Sequence, residues 1–321
     1  MRLHHKIIQL ALLSGLTLSA NAAQAIEIVF DYRFDRHGWF SDSTTDGLAR
    51  RGVLQQAASA FTHFSDSLSA ITPRDDNSWN VSFQHPSWAN WLERVTVNNL
   101  DVAQDSMVVF VGASSFNGSV LGAAGSGNVR ASGDQGFIDT IATRGQQGAV
   151  DNALTDFGPW GGSIWFNSHI NWYSGLDDPI AGSTQADLLT TVTHELAHLL
   201  GFGLADSWNA LLQRNDQGYI FTGANAVAEY GAGIPVDGSA GHWAYGVVGS
   251  IDGQPVPNLM DPSTAAGNRE YLSDLDYAAL RDIGWQVSAV PEPSTIWMLL
   301  LGLVGVFGRW RRKTRPLDLD A

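Results

Sequence analysis

The stretch Leu188-Leu189-Thr190-Thr191-Val192-Thr193-His194-Glu195-Leu196-Ala197-His198-Leu199-Leu200-Gly201-Phe202-Gly203 decides how this chain is read. Leu188, Leu189, Val192, Leu196, Leu199 and Leu200 recur at helical spacing, so a helix is expected over residues 187–200, ended by Gly201-Phe202-Gly203. Within it His194 and His198 stand four apart, on one helix face and about one turn from each other, so both imidazoles can grip one ion. Glu195 sits beside them, within reach of a water on that ion, as a candidate general base. Imidazole ligands, no redox demand and a position left for water favour zinc. The apolar flanks make this a buried helix, and imidazole and carboxylate groups on a buried helix need partners, which weighs against an incidental His pair.

Two ligands leave zinc undercoordinated, since a catalytic site takes three protein ligands and a water. Downstream of His198 the sequence has one further His, His242, in Gly241-His242-Trp243, followed later by Leu259-Met260-Asp261-Pro262. Asp206, Glu229 and Glu270 are rival third ligands. His37, His63, His85 and His169 lie upstream and read as ordinary surface or packed residues, and Met260 by itself reads as a gap-filler.

The run His-Glu-x-x-His-x-x-Gly-Phe resembles the metzincin zinc proteases, in which the glycine turns the chain sharply out of the helix. Their usual third His falls here on Leu204, which cannot bind a metal. The resemblance is therefore to the leishmanolysin-like variant, whose third His follows an inserted segment, and it implies His242 as the third ligand. Leu259-Met260-Asp261-Pro262 looks like the methionine turn beneath the metal of that clan, and residues 275–285 look like its closing helix. The resemblance spans residues 163–285. It implies a zincin-like α+β fold with a twisted mixed sheet, two long helices and a loop-rich C-terminal subdomain. It also implies a zinc metalloendopeptidase acting on polypeptides through a zinc-activated water with Glu195 as base. A Tyr sometimes assists in this clan, and Tyr271 is the candidate. A non-catalytic, metal-binding surface or matrix protein of the same fold is the rival, and loss of Glu195 would mark it; Glu195 is present.

Upstream of the helix, residues 27–32 alternate and predict a strand; residues 45–71 carry few breakers and predict a long amphipathic helix. Residues 79–83 and the apolar run Met107-Val108-Val109-Phe110-Val111 predict further strands, the second buried on both faces. The Gly- and Ser-rich residues 112–136 read as loops with a flap. Residues 163–167 predict another strand, in which Trp165 and Phe166 are most simply core. The metzincin likeness implies instead that this strand is the sheet edge, where a peptide adds as an extra strand. A last helix is expected over residues 273–282. These elements divide the chain into residues 26–203, with sheet and active-site helix, and residues 204–289, with the third ligand, the cleft lying between them.

Both ends fall outside that division. Residues 1–25 combine a basic start, an apolar stretch and Ala23-Gln24-Ala25, the pattern of an export signal. Residues 290–321 begin with Pro291-Glu292-Pro293, continue through an apolar stretch at 295–308 and end in Arg309, Arg311, Arg312, Lys313 and Arg315. Positive residues stay on the cytoplasmic side, so the body of the protein is expected outside. This ending resembles the PEP-CTERM sorting signal of Gram-negative bacteria. The resemblance implies transient inner-membrane anchoring, processing by an exosortase-type enzyme, and release or attachment at the cell surface. The chain has no Cys, which excludes disulfides, thiolate metal sites and a Cys nucleophile. Between residues 26 and 289 all 11 basic residues are Arg, against 29 acidic ones, so nucleic acid is excluded as a partner. Such acidity leaves room for structural Ca2+, but no D-x-D-x-D-G loop supports it. A monomer is expected.

Overall fold

The computed structural model describes residues 25–216 and 218–287. The segment expected to be an export signal, residues 1–25 apart from Ala25, and the C-terminal segment 290–321 with its apolar stretch lie outside the described residues. In chain order the first part forms β1 (Glu27–Asp31), α1 (Thr45–Ser59), β2 (Ser78–Gln84), β3 (Arg94–Asn98), β4 (Ser106–Ser114), β5 (Gly122–Gly125), β6 (Asn128–Ser132), α2 (Gln135–Thr143) and β7 (Gly161–Asn167). The two-residue strands β8 (Trp172–Tyr173) and β9 (Ala186–Asp187) follow, then α3 (Leu188–Leu199). The second part forms α4 (Asp206–Ala210), β10 (Leu212–Asn215), β11 (Gly218–Phe221), α5 (Ala224–Tyr230), β12 (Ile234–Val236), β13 (Val248–Ile251), β14 (Gln254–Pro257) and α6 (Asp274–Asp282). The chain is a mixed α+β protein.

The main sheet runs β1-β4-β7-β5, with β1, β4 and β7 parallel and β5 antiparallel at one edge. β4 explains why its sequence is a continuous apolar run. Met107, Val109, Val111 and Ala113 face a core shared with α1 and α3, while Val108 and Phe110 face a second core against Trp79, Val81 and Phe83 of β2. A strand covered on both faces has no polar alternation, and each such side chain contributes about 1.5–3 kcal/mol by burial. β2 is the centre of a separate antiparallel sheet, β3-β2-β6, laid over the face of the main sheet away from α1 and α3.

Two expectations are corrected. The helix expected over residues 45–71 stops at Ser59. Beyond it Ser59 Oγ and Thr62 Oγ1 return to the backbone carbonyls of Gln56 and Ser59. Ser65 then pairs through both its N–H and its hydroxyl with the Gln286 carbonyl. Side chains that bond the local backbone compete with helix propagation, and the long-range pairing takes the chain away. The edge strand is β5, not the strand holding Trp165 and Phe166: β7 lies between β4 and β5. β5 falls in the stretch read as loop, because Gly122-Ala123-Ala124-Gly125 has neither β-branched nor aromatic residues and is a strand only through its pairing with β7.

α3 crosses the main sheet beside α1 and meets β5. Its N-cap is Asp187, whose side chain accepts from the Thr190 N–H at 3.0 Å and also holds Arg269 Nε at 2.9 Å and Nη2 at 2.8 Å. This buried, bidentate pair ties the start of α3 to the segment leading into α6. At its other end Gly201 and Gly203 take φ of 102° and 71°. Both values lie in the region that favours glycine, and a Cβ on Gly203 would collide with the backbone of Gly241. Close approach of those two glycines brings the exit of α3 against the loop that carries His242.

The second part holds more regular structure than a loop-rich reading expects: the antiparallel sheet β10-β11-β12, the hairpin β13-β14, and α4 and α5. Phe202, Trp208, Phe221 and Trp243 pack ring against ring behind the glycine turn, with centroids 4.3–5.7 Å apart. α6 starts at a capping box formed by Ser273 and Asp276. Among the described residues no helix is long and apolar enough to cross a membrane.

Candidate metal centre

α3 presents His194 and His198 on one face, and the loop between β12 and β13 brings His242 to them. His198 Nε2 lies 3.1 Å from Nε2 of His194 and 3.1 Å from Nε2 of His242. One ligand atom from each of the three falls within 4.8 Å of the others, and among the described residues no other such group of His, Asp or Glu occurs.

The far side of each ring explains why three Nε2 atoms converge. His194 Nδ1 donates to the Leu259 carbonyl and His198 Nδ1 to the Phe202 carbonyl, each at 2.8 Å. A carbonyl oxygen only accepts, so both Nδ1 atoms carry the proton and both neutral rings present a bare lone pair at Nε2. Two lone pairs 3.1 Å apart do not hydrogen-bond, and a cation shared between them would make the arrangement favourable. Burial lowers the pKa of His194 well below the ordinary value and that of His198 to about 4. Burial lowers that of His242 also, opposed by Asp237. The rings are therefore in the neutral, ligating form at neutral pH, and the donor set fits zinc.

Asp237 shapes the loop. Its Oδ1 accepts from the N–H groups of Gly241 and His242 at 3.1 and 3.3 Å, and Ser239 Oγ donates to it at 2.8 Å. Its Oδ2 faces His242 Nδ1 at 3.4 Å, near enough for charge but without the alignment of a hydrogen bond. The next residue, Trp243, is held from two sides: its N–H donates to the Met260 carbonyl and its Nε1–H to Asp276 Oδ1. The turn at Asn258–Asp261 thus touches both regions, Leu259 through His194 and Met260 through Trp243. Met260 itself is fully buried in the core.

Glu195 shares the cavity. It is buried, and burial raises its carboxyl to about 8, opposed by a bond from the Ala124 N–H of the edge strand. A cation among the neighbouring imidazoles would favour its charged form. The cavity measures about 720 Å³ and is lined by residues 119–124, by α3 and its exit, by the loop carrying His242, and by residues 261–264.

The rivals for the third ligand stand elsewhere. Leu204 lines the cavity half-exposed. Asp206 is exposed in the first turn of α4 and outside the cavity. Glu229 accepts from Ser250 and Glu270 from Thr264. Tyr271 lies outside the cavity and donates to Asp178 Oδ1, so no catalytic assistance is assigned to it. His85 packs on Phe34 beside Arg36, and neither it nor His37, His63 or His169 belongs to the cluster. Sequence reasoning missed Asp237, Asp276, Ala124 and the Leu259 carbonyl. Of these only Asp237 left a signal, the turn-forming run Asp237-Gly238-Ser239-Ala240-Gly241 before His242.

Residues 289–313 match the PEP-CTERM protein-sorting motif, which implies processing by an exosortase-type enzyme, export and sorting to the cell surface in Gram-negative bacteria. A second family model, described as SPBPB7E8-like, matches residues 160–227, from the start of β7 into α5 and short of His242. Among curated proteins none matches the chain.

Proposed function

We propose that the protein is an exported zinc metalloendopeptidase of the metzincin type, with a zincin-like fold, holding zinc on His194, His198 and His242. The observation that carries this reading is the meeting of three Nε2 atoms, two of them on rings whose Nδ1 donates to a backbone carbonyl, with a buried carboxylate on the same helix. When bound, zinc supplies a Lewis acid that polarises a peptide carbonyl and lowers the pKa of water. Glu195, placed by α3 next to the edge strand, removes a proton from the attacking water and returns it to the leaving amine. The edge strand β5 offers backbone groups along which an extended chain can lie.

Zinc content and hydrolysis of casein by the purified protein test the reading. Zinc near one per chain and hydrolysis abolished by a chelator are expected. Glu195→Gln should keep the zinc and lose at least about 10³-fold in kcat/KM, within the range general-base catalysis supplies. Activity of that variant close to the parent's would refute the mechanism.

A further inference from the structure

Asp261 follows the turn that anchors His194 and stands in the wall of the same cavity. Apart from Glu195 it is the one carboxylate among the lining residues, and neither Lys nor Arg lines the cavity. Its Oδ1 is buried and has no hydrogen-bond partner among the described residues. The side chain as a whole is half-buried: Oδ1 is desolvated without a partner, and the other carboxylate oxygen is left accessible from the cavity it lines. Its surroundings deepen that deficit. Asp276 lies behind it, committed to Trp243 and Ser273. Arg269, the one guanidinium of residues 261–272, is spent on Asp187 and on the carbonyls of Gly175 and Leu176. Burial, with Asp276 near, raises the Asp261 carboxyl to about 6.

We infer that the cleft selects polypeptides with an arginine or lysine side chain that reaches Asp261; as a substrate class this rests on the peptidase reading. A cation entering from the cleft pairs a carboxylate the fold leaves unpaired, and an uncharged side chain in its place leaves it so. The acidic surface, 29 carboxylates against 11 arginines over residues 26–289, draws basic chains toward it.

The test uses the full chain carrying Glu195→Gln, loaded with zinc, so that peptides bind without turnover. Labelled hexapeptides of Gly and Ala carry one Arg at each position in turn, or its uncharged isostere citrulline, and anisotropy measures affinity at 0.15 M salt. At one position the Arg peptide should bind at least 10-fold more tightly than the citrulline peptide. Adding Asp261→Asn, or Asp261→Ser should the first not fold, should bring that ratio below two. Adding Asp206→Asn, an exposed acid outside the cavity, should leave the ratio in place. Equal affinities at every position, no binding of either peptide, or a ratio indifferent to Asp261 would overturn the inference. Turnover of the same peptides by the parent separates the two claims: selective binding without hydrolysis removes the peptidase reading alone, and hydrolysis without charge preference removes this one alone.

Discussion

α3, which carries His194 and His198, is buried along 11 of its 12 residues and pinned at both ends, by Asp187 with Arg269 at the start and by Gly201 and Gly203 at the exit. His242 stands instead in an irregular segment between β12 and β13, placed by Asp237, by the contact of Gly241 with Gly203, and by Trp243 held between Met260 and Asp276. The spacing of the helical pair is a local property of one element. The position of the third imidazole is a property of four separate segments. The difference teaches where such a centre can be tuned. The backbone spacing of His194 and His198 is fixed by the helix itself, whereas several residues of other segments set where His242 sits.

That contrast can be broken experimentally. The largest effect is expected from His242→Ala: zinc per chain should fall well below one after dialysis and hydrolysis should drop to background, while Asp206→Ala keeps both. Mass-spectrometric zinc stoichiometry beside a peptide assay decides it, and zinc lost only in Asp206→Ala would move the third ligand to α4. Asp237→Ala removes what orients His242 without removing a ligand. Zinc affinity measured by competition with a chelator should weaken about 10–100-fold, the range for groups that orient metal ligands. An unchanged affinity would mean the loop holds His242 by packing alone. Gly203→Ala should have the smallest effect on the metal and show mainly in stability. Its φ of 71° and the collision with Gly241 cost about 1–3 kcal/mol, or roughly 2–4 °C of melting temperature per kcal/mol in a chain of this size. A melting curve identical to the parent's would remove the glycine contact from the account.

Legibility in the sequence follows the same division. α3 is readable to within a residue because its apolar spacing, its Asp187 cap and its terminal glycine are all local signals. β4 is readable because both of its faces are covered, which leaves an unbroken apolar run. α1 is overread because Ser59, Thr62 and Ser65 end it through bonds, one of them to residue 286, that no helix periodicity contains. β5 is invisible because its strand character belongs to its neighbour β7, and β10 to β12 because short strands carry little pattern of their own. At the site His194, Glu195 and His198 are legible from spacing, and His242 from being the one His downstream. The Leu259 and Phe202 carbonyls, which aim the two helical rings, are backbone groups and leave no trace in residue identity.

On the proposed reading, two helical imidazoles and one loop imidazole hold a single zinc ion. An anomalous difference map at the zinc edge, from crystals of the zinc-loaded protein, tests it most directly. One peak is expected at bonding distance, about 2.0–2.1 Å, from Nε2 of His194, His198 and His242 together. A peak bound by the helical pair with Asp206, Glu229 or Glu270 in place of His242, or a peak away from α3, would contradict it.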